Sequence, residues 1–288
     1  MERRIGFLHP GTMGISLAAS AKNSGHAAIW ASEGRSQATH DRASSRDLID
    51  AGTLRSLCET CDTIVCICPP AAAEEVAHSV LATGFQGLYI DANAISPART
   101  RRIDAAMAAA GARFADGSVI GGPAWTPGRT WLYLAGPDAE GAAACFSAGP
   151  LETYVLGPEI GHAAALKMCF AAYTKGSSAL LSAIMAAAEA NGVRGALAMQ
   201  WSRNGSDFAE QTERRVRGVT ARAWRFAGEL DEIADTFRDA GLPAGFGEAA
   251  AEIYRRTAHF KAAPVPPHLD AVLDALLNDH KISGSGEW

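Results

Sequence analysis

Lys167 stands in an apolar helical stretch, 163–172, among Ala, Leu, Met and Phe. A lysine so placed either snorkels its ammonium to water or is held in a dry cleft. In a cleft, desolvation lowers its pKa towards neutrality, the range a general acid/base needs. Lys175 lies two helical turns on, where it can share a face with Lys167 and offer a second cation or simply meet solvent. Tyr173 and Thr174 can reach the same cleft.

A second chemical element opens the chain. His9-Pro10-Gly11-Thr12-Met13-Gly14 follows an apolar strand and begins a helix. It is a G-x-G-x-x-G loop with His9 in the first glycine's place. Gly11 lets a backbone approach a pyrophosphate, Gly14 lets the helix pack on the sheet, and the helix N-terminus attracts phosphate. The second strand ends in Ala31-Ser32-Glu33-Gly34-Arg35-Ser36. An acid there would hold a ribose 2′-hydroxyl, yet Ser32 occupies that place. Arg35 and Ser36 can hold a 2′-phosphate, whereas Glu33 can still serve the unphosphorylated ribose. The reading favours NADP(H), with NAD as the alternative.

The cysteines have a plainer reading. Cys58-x-x-Cys61 followed by Cys66-x-Cys68 has a zinc-like look. Cys66 and Cys68 alternate with Val65 and Ile67 in what reads as a buried strand, where free cysteine is a normal core residue. No metal site is expected.

Positioning these groups requires alternating strands and helices. Apolar runs predict strands at 5–8, 27–31, 63–68, 87–91, 113–119 and 130–135. Helices are expected at 14–24, 47–51, 72–81 and 97–111, the last with Ser96 as N-cap. Repeated β-α-β units predict a parallel sheet covered on both faces. Beyond Gly157-Pro158 there is no convincing strand, and 160–191 reads as one long helix closed by Asn191-Gly192. Further helices are expected at 196–202, 208–230, 230–240, 247–260 and 267–277, and a mobile tail at 283–286. The expected fold class is an α/β Rossmann-type N-terminal domain (1–157) and an all-α C-terminal domain (158–288), joined by the long helix.

Composition narrows the function. The 288 residues are 48% hydrophobic and 20% charged, which excludes bulk disorder. A net charge of −5 argues against a nucleic-acid binder held by phosphate contacts. No apolar run reaches the roughly 18–20 residues of a membrane span, so no membrane partner is expected. The N-terminus lacks a signal-peptide core, which makes the cytoplasm the expected compartment.

Five motifs in order resemble the β-hydroxyacid dehydrogenase superfamily, which includes 3-hydroxyisobutyrate and 6-phosphogluconate dehydrogenases. They are Gly6 to Gly14; Val65-Cys66-Ile67-Cys68-Pro69-Pro70; Tyr89 to Pro97, with Asp91 and Asn93; Asp116-Gly117-Ser118-Val119-Ile120-Gly121-Gly122; and Gly161-His162-Ala163-Ala164-Ala165-Leu166-Lys167. The opening and the segment from Trp224 to Ile233 also look like a phosphogluconate-dehydrogenase-like branch. The resemblance implies that Cys68, Pro69, Pro70 and Asn93 face the cofactor. It implies that Lys167 is the catalytic lysine of the interdomain helix and that the Gly121 and Gly122 amides bind a substrate anion. It also implies a homodimer formed through the helical domain.

The chain departs from the family's polar substrate cage. Ile120 replaces a loop serine, Phe170-Ala171 replaces an amide-bearing pair, and a second lysine falls on Glu229. Buried polar groups of a substrate would lack partners there, which implies an anionic substrate with an apolar part. Trp125 and Trp131 can cap an apolar pocket or pack in the core; Glu229, Asp231 and the arginines 214, 215, 217, 222 and 225 read mainly as solvated faces. His162 reads as a helix-start residue. The leading expectation is an NADP(H)-dependent dehydrogenase or reductase. The rivals are an imine reductase on the same scaffold and a nucleotide-binding sensor without catalysis.

Overall fold

Two register relationships organise the N-terminal unit in the computed structural model, which describes residues 2–261 and 263–278. β1 (Arg4–Phe7) pairs in parallel with β2 (Ala27–Trp30) on one side and, on the other, with a strand from much later in the chain, Thr63–Cys66. The order therefore reverses beside β1, and such a switch point opens a crevice beyond the strand ends.

Between them lie α1 (Gly14–Asn23), α2 (Gln37–Ser44), β3 (Ile49–Asp50) and α3 (Leu54–Thr60); the Thr63–Cys66 strand is β4. Next come α4 (Ala73–Leu81), β5 (Leu88–Asp91), α5 (Pro97–Ala109), β6 (Arg113–Gly121), β7 (Thr130–Ala135), α6 (Ala139–Ala143) and β8 (Leu151–Gly157). The eight-stranded order is β3-β2-β1-β4-β5-β6-β7-β8, parallel except for the antiparallel β6–β7 pair. Two apolar layers cover its faces. One is built on Phe7, Leu17, Ile90 and Leu132, the other on Leu57, Ile64, Tyr89 and Met107.

Several expectations are corrected. No helix spans 47–51; Ile49 and Asp50 pair with Ile29 and Trp30 as an edge strand too short to show alternation. α2 is absent from the sequence expectation because it buries only Ala43 and so presents no apolar stripe. β8 is absent for the same reason: it is a half-exposed edge strand, and Tyr154 is 60% accessible. The sheet is mixed rather than wholly parallel, since β6 turns back directly into β7.

The chain divides into two compact units after Met168 rather than at 157. The last strand ends at Gly157, but the first turn of α7 (His162–Ala171) is bonded to β6 and stays with the sheet. The long helix is not uniform. A π-helical turn (Ala172–Gly176) separates α7 from α8 (Ser177–Ala190). At its end, Val193 N donates to Ala188 O and Gly192 takes φ +68°, the stop that Asn191-Gly192 announced.

The second unit continues with α9 (Arg194–Trp201), α10 (Phe208–Val219), α11 (Ala223–Asp239), α12 (Gly245–Arg256) and α13 (Leu269–Leu277). The break expected at 230 falls at 220–222. There Thr220 Oγ1 bonds the Arg217 carbonyl and opens a 3₁₀ turn, while Leu230 is buried inside α11. The expected helix over 247–260 ends at Arg256, with a separate 3₁₀ turn at Ala258–Phe260. The 283–286 tail lies outside the described residues. Among the described residues, no helix is long and apolar enough to cross a membrane.

Candidate active site

The fingerprint loop is built as its residue types require. A Cβ on Gly14 would stand 2.2 Å from the His9 carbonyl oxygen, so only glycine lets α1 start this close to the end of β1. A Cβ on Gly11 would meet nothing within 4 Å, so the space above it is open. Ile15 N and Ser16 N already bond the carbonyls of Gly11 and Met13. The amides at the mouth of the helix are therefore those of Thr12, Met13 and Gly14. Arg42, which belongs to no sequence motif, braces this loop from α2. Its Nε donates to the Pro10 carbonyl at 3.3 Å and its terminal nitrogen to Thr39 Oγ1 at 3.0 Å.

Past β2, Ser32 is half-buried and Glu33 exposed, its amide bonded to the Gly52 carbonyl. The Arg35 Nε is buried without a hydrogen-bond partner. Ser36 caps α2 in extended conformation, with its hydroxyl 3.1 Å from Thr39 Oγ1.

Two residues past the end of β5, Asn93 is 2% accessible, and its side chain reaches the end of β4. Its Oδ1 accepts from Cys68 N at 2.6 Å and its Nδ2 reaches Cys66 Sγ at 3.4 Å. The side chain thus fixes the Cys66–Pro70 segment, with Pro69 exposed and Pro70 half-buried beyond it. Cys66 also lies beside His9, whose Nδ1 is buried and unpartnered. A hydrogen bond with Cys68 and burial push the Cys66 thiol well up.

Lys167 is positioned by two attachments of α7 to β6. Asp116 Oδ2 accepts from the amides of Gly161, Ala163 and Ala164 at 2.9, 3.0 and 3.4 Å, a carboxylate at a helix N-terminus. Farther along the same strand, the Val119 carbonyl accepts from Lys167 Nζ at 2.8 Å. The lysine therefore sits at the strand end that continues into Ile120, Gly121 and Gly122. Ile120 is buried and both glycines are exposed. Gly121 has φ +120°, and a Cβ there would stand 2.2 Å from the Arg129 carbonyl oxygen, so the turn out of β6 demands glycine. Asp116 belongs to a recognisable motif, but nothing in its spacing reveals that it anchors the helix.

The second unit places its candidates differently. Ala171 is fully buried and Phe170 is 45% accessible. Lys175 forms a buried ion pair with Glu229, its ammonium 4.6 Å from the Phe226 ring centre. Burial pulls the Lys175 ammonium below its usual range despite the attraction of Glu229. Thr174 Oγ1 bonds the Phe170 carbonyl, and Arg215 bonds the Thr174 carbonyl and the Ser178 hydroxyl. Glu229 is thus a buried partner rather than a solvated acid, whereas Asp231 pairs with Arg255 at the surface. Of the two tryptophans, Trp131 bonds Glu152 and Trp125 lies exposed beneath Arg46.

Residues 4–145 match the NAD binding domain of 6-phosphogluconate dehydrogenase, and residues 188–257 match a domain of unknown function, DUF1932. No curated protein matches the chain in sequence. Among solved structures, the chain is similar to 3-hydroxyisobutyrate dehydrogenase of Mycobacterium tuberculosis in complex with L-serine. Identity is 19%, with 96% of this chain and 100% of the other covered and a TM-score of 0.70. A conserved protein of unknown function, described as structurally similar to 3-hydroxyacid dehydrogenases, is 25% identical, with 88% and 99% covered and a TM-score of 0.62. An imine reductase of Myxococcus stipitatus in complex with NAD+ shares 16% identity over 96% and 100% of the two chains, at a TM-score of 0.55. With the fingerprint loop built as described and residues 4–145 matched by the dinucleotide-binding family, this chain carries an NAD-binding domain of the 6-phosphogluconate dehydrogenase kind, on a fold that is similar along nearly its whole length to that of 3-hydroxyisobutyrate dehydrogenase.

Proposed function

We propose that this chain is an NADP(H)-dependent oxidoreductase that interconverts a hydroxyacid-like alcohol and its carbonyl compound, with Lys167 as general acid/base. The observation that carries the reading is the Lys167–Val119 hydrogen bond, which holds the ammonium beside Ile120, Gly121 and Gly122. The residues present fit a dinucleotide: open space over Gly11, a helix mouth offering the Thr12, Met13 and Gly14 amides, and an unpartnered Arg35 Nε for a 2′-phosphate. His9, Pro10, Ser32, Ser36, Cys68, Pro69 and Pro70 complete the wall, and Glu33 is the residue an NAD-type ribose would use.

When bound, the nicotinamide supplies the hydride exchange. The chain supplies the rest. As the neutral amine Lys167 takes the proton of the substrate hydroxyl in oxidation and becomes the ammonium, and as the ammonium it returns that proton in reduction. The Gly121 and Gly122 amides meet the substrate's anionic group. Asn93 acts at one remove, by fixing the strand end that carries Cys68. Apolar Ile120, Phe170 and Ala171 in place of polar family residues favour a substrate with an apolar part. They also support a second reading, the reduction of imines.

An apolar groove of about 740 Å³ on the second unit, lined by Tyr173, Leu180, Leu230, Ile233 and Phe246, supports a homodimer in which a second copy covers it. The deciding experiment titrates the purified protein with NADPH and NADH, then follows NADPH oxidation with a panel of β-ketoacids and cyclic imines. NADPH binding at least about tenfold tighter (1.4 kcal/mol) and turnover of ketoacids support the proposal. Turnover of imines alone moves the assignment to imine reduction, and binding of neither dinucleotide overturns both.

A further inference from the structure

The reversal of strand order between β1 and β4 brings together three side chains, of which His9 and Cys68 also belong to the wall of the proposed dinucleotide site. A ring nitrogen of His9 and the sulfurs of Cys66 and Cys68 all lie within 4.8 Å of one another. His9 comes from the turn after β1, and the two cysteines from the end of β4. Residues two apart in extended chain project to the same side.

The spacing is that of a metal site. Two thiolates bound at about 2.3 Å in tetrahedral geometry are separated by roughly 3.8 Å. The Cys66 and Cys68 sulfurs stand 3.8 Å apart. The His9 ring is held among these groups with its Nδ1 buried and no hydrogen-bond partner on that atom, so the protein does not fully satisfy the imidazole. Ligating groups are ordinarily held by outer hydrogen bonds, and here Asn93 provides them. It donates through Nδ2 to Cys66 Sγ and accepts from the Cys68 amide. Two sulfurs and an imidazole select a thiophilic ion such as zinc over calcium or magnesium, and leave a fourth position open.

We propose that His9, Cys66 and Cys68 form a three-ligand site for one thiophilic divalent cation at the mouth of the first βα turn. This departs from the expectation that the cysteines serve only the core. It does not rest on the oxidoreductase reading, because the ion binds without dinucleotide or substrate.

The test uses the full chain, kept reduced with a phosphine. Cadmium is titrated in and thiolate-to-metal charge-transfer absorbance is monitored; zinc is then measured by competition with a chromogenic chelator. One saturating equivalent is expected. Cys68→Ser and His9→Gly, a half-buried position and a return to the fingerprint glycine, should each weaken binding by about 100-fold. Cys169→Ser, at the exposed cysteine, should leave binding unchanged. In the unsubstituted protein, zinc should slow alkylation of Cys68 but not of Cys169. Absence of a saturable equivalent, binding unaffected by both ligand substitutions, or binding lost with Cys169→Ser overturns the proposal.

Discussion

Asp91 and Asp116 are register partners on the neighbouring parallel strands β5 and β6, and both carboxyls are buried. Burial pushes Asp91 up to about 7, with Asp116 adding to the rise, and burial pushes Asp116 up to about 6 against the pull of three helix amides. In the unfolded chain both titrate at about 4. Between those limits the native state holds protons that the unfolded state has released. Stability from these groups is therefore fully present below about pH 4 and is lost as pH rises towards 7. The slope is about 1.4 kcal/mol per pH unit for each proton retained. Asp91→Asn keeps an acceptor for the Asn93 amide and removes the buried charge. Urea midpoints measured from pH 5 to 8 should show a flatter profile and a more stable protein at pH 8; an unchanged slope would contradict the assignment.

Lys167→Ala removes the acid/base and leaves the fingerprint loop untouched. Turnover on whichever carbonyl substrate the panel reveals should fall by about 10²–10⁴-fold. The NADPH dissociation constant should stay within about twofold, since the lysine donates to the Val119 carbonyl on β6 and the fingerprint loop lies after β1. Full activity in this variant would remove Lys167 from the chemistry.

Arg35→Ser tests the cofactor choice. Its Nε is buried and unpartnered, so its loss disturbs no internal bond of that nitrogen. NADPH affinity should fall by about tenfold or more and NADH affinity should hardly change. Equal weakening of both would assign Arg35 a structural role.

The Lys175–Glu229 pair should behave as buried charges do. Glu229→Leu alone strands an ammonium already depressed by burial, and should cost about 3–5 kcal/mol in chemical denaturation. Adding Lys175→Met should recover most of that loss. A double variant no more stable than the single one would show that the pair's worth lies in packing on Phe226.

The strands of the sheet interior were legible because burial on both faces makes them continuous apolar runs, as in Thr63–Cys66 and Leu88–Asp91. The fingerprint was legible because Gly14 answers a steric demand that no other residue meets. What escaped the sequence was long-range. β3 and β8 exist through pairing with β2 and β7 rather than through their own pattern. Arg42 and Asp116 act through carbonyl and amide groups distant in the chain, which no local spacing encodes. Glu229 read as a solvated acid because the sequence does not reveal that Lys175 meets it. The His9–Cys66–Cys68 cluster depends on strand order, which becomes visible only once β1 and β4 lie side by side.

The π-helical turn at Ala172–Gly176 also bears on how this helix can change in length. A π turn holds one residue more than the α turn it replaces, so it absorbs an insertion without rotating the residues beyond it. Removing one residue within 172–176 should yield an unbroken α-helix with the buried stripe of Ser178, Ser182, Met185 and Ala186 still facing its neighbours. Removing one residue within α8 itself would turn the rest of that stripe by about 100° and carry Met185 away from Val216 and Leu273. The helix thus has one place where its length is negotiable, and that place adjoins the buried Lys175–Glu229 pair.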